Sequence, residues 1–238
     1  MAWQDAYLAK YYSAESGWTD GNVVFHGLCE SVIPKGGEIL EIGAGPTNVT
    51  SDFLASLGRL QGVDIDADVQ NNTALAASHV LDGEAYPFED NTFDACVSNY
   101  VIEHVADPRG HLTEIARVLR PGGVYIFRTP NFWHYVSLVS HLTPHSFHRL
   151  VANRLRNLPE ESHDPYPTHY RLNTRSAVKM AAKQSGLTVD RLDLLEKEPM
   201  YGLGSRLLFF PFMAYERLVN SSDIFSGLRA NILGMLRK

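Results

Sequence analysis

Between residues 38 and 130 the chain alternates short apolar runs with stretches of helical period, the pattern of strands and helices wound in turn about one sheet. Glu38 to Ile42 reads as a first strand and Thr47 to Leu57 as the helix after it. Arg59 to Asp64, Ser78 to Leu81 and Phe93 to Asn99 read as the next three strands. The last of these is nearly all apolar, as a strand covered on both faces must be. Asp107 is placed to cap the following helix, with Pro108 in its first turn. Leu112, Ile115, Ala116 and Leu119 recur at i, i+3, i+4 and i+7 and give it a single core-facing stripe. Pro121-Gly122-Gly123 stops that helix, and a fifth strand follows from Val124 to Arg128.

From Asn131 to Arg171 the pattern is irregular and rich in proline and histidine, which predicts an insertion or cap over one end of the sheet. Asn173 or Thr174 then caps a helix over Ala177 to Ser185, stopped by Gly186. Leu187 to Leu195 is a further strand, Leu207 to Val219 a helical segment, and Ala230 to Arg237 a final edge strand. No internal repeat appears, so solenoids and propellers are set aside. The expected fold is α/β, Rossmann-like and doubly wound, with a mostly parallel seven-stranded sheet, helices on both faces and a cap insertion.

Composition narrows the function classes. With 238 residues, 45% hydrophobic and 20% charged, the chain is an ordinary globular one. A net charge of −6 repels nucleic acid, so no nucleic-acid partner is expected. Cys29 and Cys96 lie far apart with no CxxC pairing, which gives neither a disulfide framework nor a thiolate metal site and fits a reducing cytosol. Met1 to Tyr12 lack a signal-peptide core. The longest apolar run, Leu207 to Tyr215, is interrupted by Pro211 and falls short of the roughly 20 residues that span a bilayer. A soluble, cytoplasmic protein is expected.

The sharpest local signal is Glu41-Ile42-Gly43-Ala44-Gly45-Pro46 at the end of the first strand. Glycine at 43 and 45 permits a tight turn and close approach of a ligand, and the next helix is expected to point free N–H groups into the same space. The same pair would serve any tight strand-to-helix turn. The second strand ends in Gly62-Val63-Asp64, which puts a carboxylate 23 residues after Glu41, where Rossmann-type sites grip ribose hydroxyls. Asp66 and Asp68 follow, so a merely solvated acidic turn is the alternative. After the third strand, Asp82 can accept from an exocyclic adenine amine.

These pieces belong to a longer series: EIGAGP at 41–46, GVDID at 62–66, DGEAYPFEDNTFD at 82–94, VSNYVIEHVADP at 97–108 and ARVLRPGG at 116–123. In this order and spacing, residues 38–130 resemble the class I S-adenosylmethionine-dependent methyltransferases, in particular the small-molecule group labelled type 11. The resemblance implies S-adenosylmethionine as cofactor. Glu41 and the Gly43, Ala44 and Gly45 backbone would hold its methionine part, Asp64 its ribose, and Ile65 its adenine face. Asp82 and Gly83 would lie at the adenine edge, and Asn99 and Tyr100 at the amino-acid end near the methyl. A single domain over 1–238 follows, with an N-terminal helical cap (1–37), the cofactor-binding core (38–130), an acceptor cap (131–172) and C-terminal helices and last strands (173–238). One departure stands out: where the family often has a third glycine, this chain has Thr47 after Pro46, and Asn48 breaks the dinucleotide GxGxxG pattern. Proline suits a first helical position, so the loop should form, and the break weighs against a nicotinamide-dependent reductase.

The sulfonium is already a strong methyl donor, so the protein supplies mainly alignment. His104, in Glu103-His104-Val105, is the candidate general base, against a plain packing role beside the cofactor. His141, His145 and His148 share a helical spacing, but Pro144 lies among them and no carboxylate or cysteine completes a ligand set, so no metal is expected. His134, Tyr135, His169, Tyr170 and Arg171 are candidate liners of an acceptor pocket. The segment from Leu203 is basic and apolar; it reads as a weak membrane contact or, by preference, as a helix buried against the last strands or in a dimer contact. The expected reaction is methylation, on oxygen first, of a small-molecule, glycan-linked or lipid-linked acceptor. The alternative is a non-catalytic S-adenosylmethionine-binding protein acting through a partner. Tyr7, Tyr11, Tyr12 and Trp18, with the cap, are where acceptor specificity should lie.

Overall fold

The computed structural model describes residues 3–83, 85–142, 166–199, 202–203 and 205–238. In chain order these form α1 (Trp3–Tyr11), α2 (Gly21–Val32), β1 (Glu38–Ile42), α3 (Val49–Leu57), β2 (Arg59–Asp64), β3 (Ala77–Val80) and β4 (Phe93–Asn99). They continue with α4 (Pro108–Val118), β5 (Leu119–Pro130), α5 (Tyr135–Leu142), α6 (Arg175–Gln184), β6 (Thr188–Leu195), α7 (Arg206–Asn220) and β7 (Asn231–Arg237). The seven strands make one sheet in the order β3-β2-β1-β4-β5-β7-β6. β1 pairs parallel with both β2 and β4, and the β2/β3 and β4/β5 pairs are parallel too. The order reverses between β1 and β4, so right-handed crossovers place α3 and α4 on opposite faces. This is the Rossmann-like α/β fold expected.

β7 departs from the expectation. It was to be an edge strand, yet it lies between β5 and β6, and β6 is the edge. It runs antiparallel to β5: Ala230 bonds Asn131 at one end, and Lys238 bonds Gly122 and Gly123 at the other. The reason is hydrophobicity on both faces. Ile232, Leu233 and Leu236 are buried, whereas β6 exposes Thr188, Asp190 and Arg191. Gly234 is required there, because a Cβ would sit 2.1 Å from Phe127 Cζ. Two further boundaries move. β5 begins at Leu119, with Pro121-Gly122-Gly123 absorbed as an irregularity between the Phe93–Leu119 and Ala95–Val124 pairs. α3 begins at Val49 with Asn48 as its cap, so Pro46 lies outside the helix.

The chain packs as two compact units. One holds the sheet: residues 25–129, 168–193 and 232–238. Its core is the buried middle of the strands, including Ile39, Leu40, Val63, Val97, Ile126 and Phe127. The other gathers the described residues of 1–24, 130–167 and 194–231. There α7 is buried on one face, in part against α1: Phe209 is fully buried among the rings of Trp3, Tyr7, Tyr11 and Tyr12. Tyr12 also donates to buried Glu216 (3.0 Å), and Trp18 Nε1 to Glu198 (3.1 Å). The N-terminal aromatics therefore serve packing within this unit. Among the described residues, no helix is long and apolar enough to cross a membrane.

Candidate functional site

The C-terminal ends of β1, β2, β3 and β4 meet where the strand order reverses, the place where open α/β sheets bind ligands. β1 runs out into Gly43 (φ +68°) and Gly45 (φ +53°), both left-handed. A Cβ on Gly43 would lie 2.4 Å from Val101 Cγ2, so the turn after β1 packs directly on the segment after β4. Asn48 explains how the turn manages without a third glycine. Its Oδ1 accepts from the Thr50 and Ser51 N–H groups, while its Nδ2 donates to the Ala44 carbonyl (2.9 Å) and to Ser51 Oγ (2.9 Å). The helix N–H groups expected to be free for a ligand are thus taken up by this cap. Asn72, from the loop after β2, reinforces it through Gly45 O and Ser51 Oγ.

Ser51 Oγ accepts from both amides, so its own proton is left for Glu41. Glu41 is 4% exposed, and burial, opposed by the Ser51 bond and aided by the Asp64 charge, pushes its carboxyl up to about 7. Its second oxygen, Oε2, is buried with no hydrogen-bond partner. Such an atom wants a donor, and a cationic ammonium beside the glycine turn would supply it. Asp64 accepts from Gly45 N–H on one oxygen (2.9 Å) and from Asp66 N–H on the other (2.9 Å). Each oxygen keeps a further lone pair for a hydroxyl. Asp66 instead caps the short 3-10 turn Ala67–Asn71. Ile65, next to Asp64, is 63% exposed. Asp82 and Gly83 lie exposed after β3, whose exit is tied to β2 by Leu81 N–H on Asp64 O (2.7 Å).

β4 delivers Asn99 and Tyr100. Tyr100 takes a left-handed φ of +59°, a conformation that costs a non-glycine residue about 1–2 kcal/mol. Arg128, buried at the end of β5, holds it: the Arg128 carbonyl accepts the Tyr100 N–H (2.8 Å), and the guanidinium lies 4.8 Å from the Tyr100 ring centre. Arg128 Nε donates to Asn99 Oδ1 (2.8 Å), which turns the Asn99 amide nitrogen toward Thr50 Oγ1 (3.4 Å). Arg128 was not marked in the sequence; an arginine directly after the apolar run Val124–Phe127 was the available signal.

His104 sits in the 3-10 turn Ile102–His104, part-exposed, its N–H on the Val101 carbonyl (2.9 Å). Its neighbour Glu103 is buried and its carboxyl pushed up by burial, with its backbone N–H, His104 and Thr129 acting against that shift. Thr129 Oγ1 donates to Glu103 (3.0 Å) and accepts from Asn173 (2.8 Å). The Glu103 carbonyl accepts the His169 and Tyr170 N–H groups, and Arg171 donates to the Ala106 carbonyl. Those three candidate liners are therefore fastened to the turn that carries His104. His134 is different. It is buried in the other unit, its ring against Tyr135 and Tyr215 and 3.6 Å from Glu196. Burial pushes His134 down to about 4 and Glu196 up to about 8, so both are neutral near pH 7 and the contact is no ion pair. His145 and His148, and the side chain of His141, lie outside the described residues. Among the described residues there is no group of three His, Cys, Asp or Glu placed to hold a metal ion.

Comparison with known proteins agrees with this geometry. Residues 40–127 match the model of the methyltransferase domain family. A demethylmenaquinone methyltransferase of Corynebacterium urealyticum is 36% identical over 107 residues, 41% of this chain and 45% of that protein. A malonyl-[acyl-carrier protein] O-methyltransferase of Erwinia billingiae is 33% identical over 99 residues, 40% of this chain and 39% of that protein. The chain spans about two fifths of the length of the curated relatives it matches. Among solved structures, a geranyl diphosphate methyltransferase in complex with GPP and sinefungin shares the fold, with a TM-score of 0.57 and 18% identity over 89% of this chain and 77% of that one.

Proposed function

We propose that the chain is a class I S-adenosylmethionine-dependent methyltransferase, which binds S-adenosylmethionine along the ends of β1 to β4 and transfers its methyl group to an organic acceptor; the methyltransferase-domain match over residues 40–127 supports this reading. The buried, partnerless Oε2 of Glu41 beside the Gly43 turn carries this reading, because it asks for the ammonium of the cofactor's amino-acid end. Glu41 and the Gly43, Ala44 and Gly45 backbone hold that end. The remaining lone pairs of Asp64 take the two ribose hydroxyls, Ile65 covers one adenine face, and Asp82 and Gly83 meet its edge. Asn99 and Tyr100 border the methyl. The cofactor supplies the electrophilic methyl; the chain supplies alignment, worth a large part of the barrier.

The acceptor is a small, glycan-linked or lipid-linked molecule methylated on oxygen. The names of two relatives, a malonyl-[acyl-carrier protein] O-methyltransferase and a demethylmenaquinone methyltransferase, support organic acceptors carried on larger groups. His104 accepts the acceptor's proton, which would contribute about 10²–10⁴-fold. The outer face of α7, with Leu207 84% exposed and Phe210 and Leu218 beside it, touches the membrane surface where a lipid-linked acceptor would reside; absence of liposome association at low salt would remove that contact. Calorimetric titration with S-adenosylmethionine and, separately, NAD tests the whole. Micromolar binding of the first alone, weakened by Asp64→Ala, is expected. Binding of NAD instead would overturn the reading. His104→Ala should lower turnover with little loss of cofactor affinity; unchanged turnover would strip His104 of its role.

A further inference from the structure

Between β3 and β4, the described residues of the segment that carries Asp82 and Gly83 form no helix or strand. α4 fixes it. Arg117, in the last turn of α4, engages all five of its guanidinium N–H groups. Nε donates to Glu114 Oε1 (2.9 Å). Nη1 donates to the Phe88 carbonyl (2.7 Å) and Asp90 Oδ1 (2.8 Å), and Nη2 to the Tyr86 carbonyl (3.1 Å) and the Glu114 carboxylate. Glu114 Oε1 in turn accepts the Tyr86 N–H (3.0 Å). The buried Tyr86 ring reaches His111 Nδ1 with its hydroxyl (3.4 Å). His111, Glu114 and Arg117 thus share one helix face and hold the segment by backbone and side chain together.

The other end is fastened as well, since Leu81 N–H bonds Asp64 O (2.7 Å). Asp82 and Gly83 therefore lie in the short stretch between two anchors, one on β2 and one on Arg117. We propose that Arg117, with Glu114, is a positioning residue for the adenine end of the site: it sets where Asp82 stands without touching the cofactor. This rests on the reading of Asp82 as the adenine-edge residue. It also accounts for two of the sequence signatures at once, because 82–94 and 116–123 are joined physically through this guanidinium. Without the guanidinium, the Tyr86 and Phe88 carbonyls and Asp90 lose these bonds, and the loop that carries Asp82 is held by fewer ties.

The test compares calorimetric affinities for S-adenosylhomocysteine and S-inosylhomocysteine, which differ at the exocyclic amine that Asp82 would read. The wild-type protein should prefer the adenine compound by about tenfold, the worth of one hydrogen bond. Arg117→Ala should reduce that preference below about threefold, mostly through weaker binding of the adenine compound. Arg117→Lys, with one nitrogen for several acceptors, should fall between. A general loss of stability would weaken both ligands alike, so the ratio separates positioning from structure. If Arg117→Ala does not fold, Glu114→Gln keeps an acceptor for Tyr86 and should lower the ratio in the same direction. A folded variant with the full wild-type preference overturns the inference. A wild-type protein that binds both compounds equally overturns the adenine-edge reading and the inference with it, and binding of neither overturns the cofactor site itself.

Discussion

Glu41 gives the most quantitative test of the site, because its burial should make stability and ligand binding respond to pH in opposite senses. An exposed glutamate titrates near 4.5, while burial lifts Glu41 to about 7. The folded state therefore prefers the protonated carboxyl. The cost is absent below pH 4.5, grows as pH rises, and is complete above about 7. At about 1.4 kcal/mol for each pH unit separating the two values, ionised Glu41 removes roughly 3 kcal/mol from the folded state at pH 8. Glu41→Gln cannot ionise. Between pH 5, where about 0.8 kcal/mol is already lost, and pH 8, the melting temperature of the ligand-free wild type should fall relative to Glu41→Gln by roughly 5–10 °C, at 2–4 °C per kcal/mol for a chain of this size. The change in the difference is the readout, so other titrating groups cancel, the buried Glu196 among them. Binding moves the other way. An ammonium needs the carboxylate, so wild-type affinity for S-adenosylhomocysteine should rise with pH, by up to tenfold per unit below 7, and level off above it. In Glu41→Gln it should be weak and flat. Parallel melting curves from pH 5 to 8, or a wild-type affinity indifferent to pH, would refute the assignment.

Two further outcomes follow from the same turn. Gly43→Ala places a Cβ 2.4 Å from Val101 Cγ2 at a φ of +68°; it should cost about 1–2 kcal/mol in backbone strain alone and lower cofactor affinity more than tenfold, read by calorimetry on the folded variant. Asn48→Ala removes the α3 cap and its ties to Ala44 and Ser51, which should cost about 1–2 kcal/mol in urea denaturation.

Where one local rule governs an element, the sequence told its position. β1, β2 and β4 fall on the predicted residues, because each is a short apolar run bounded by polar or glycine breaks. Asp107 and Thr174 cap their helices as read. What pattern could not reveal depends on partners distant in the chain. β7 looks like any terminal apolar run until its two neighbours, β5 and β6, are known. Thr47 stood where a third glycine was expected and Asn48 broke the dinucleotide pattern; the bonds of the Asn48 side chain to Ala44, Thr50 and Ser51 identify it as the helix cap. Arg128 and Arg117 read as unremarkable basic residues; their value lies in contacts to Asn99, Tyr100, Tyr86 and Phe88, 28–31 residues away. The partners that bury His134 within its own unit, Glu196 and Tyr215, are likewise distant in the chain.

The place of β7 also constrains the order of assembly. During synthesis β6 emerges before β7, yet among the described strands β6 pairs with β7 alone, and β7 meets β5 more than 100 residues upstream. The strands β1 to β5 can pair as they appear, while β6 must wait with one edge open. Closure then comes in a single late step in which Ile232, Leu233 and Leu236 leave water together and Gly234 seats on Phe127. Contacts of such long sequence separation form slowly. The nascent chain therefore passes through an interval in which β5 presents a bare, apolar edge, and a substitution that delays β7 should appear first as aggregation during synthesis rather than as a loss of activity.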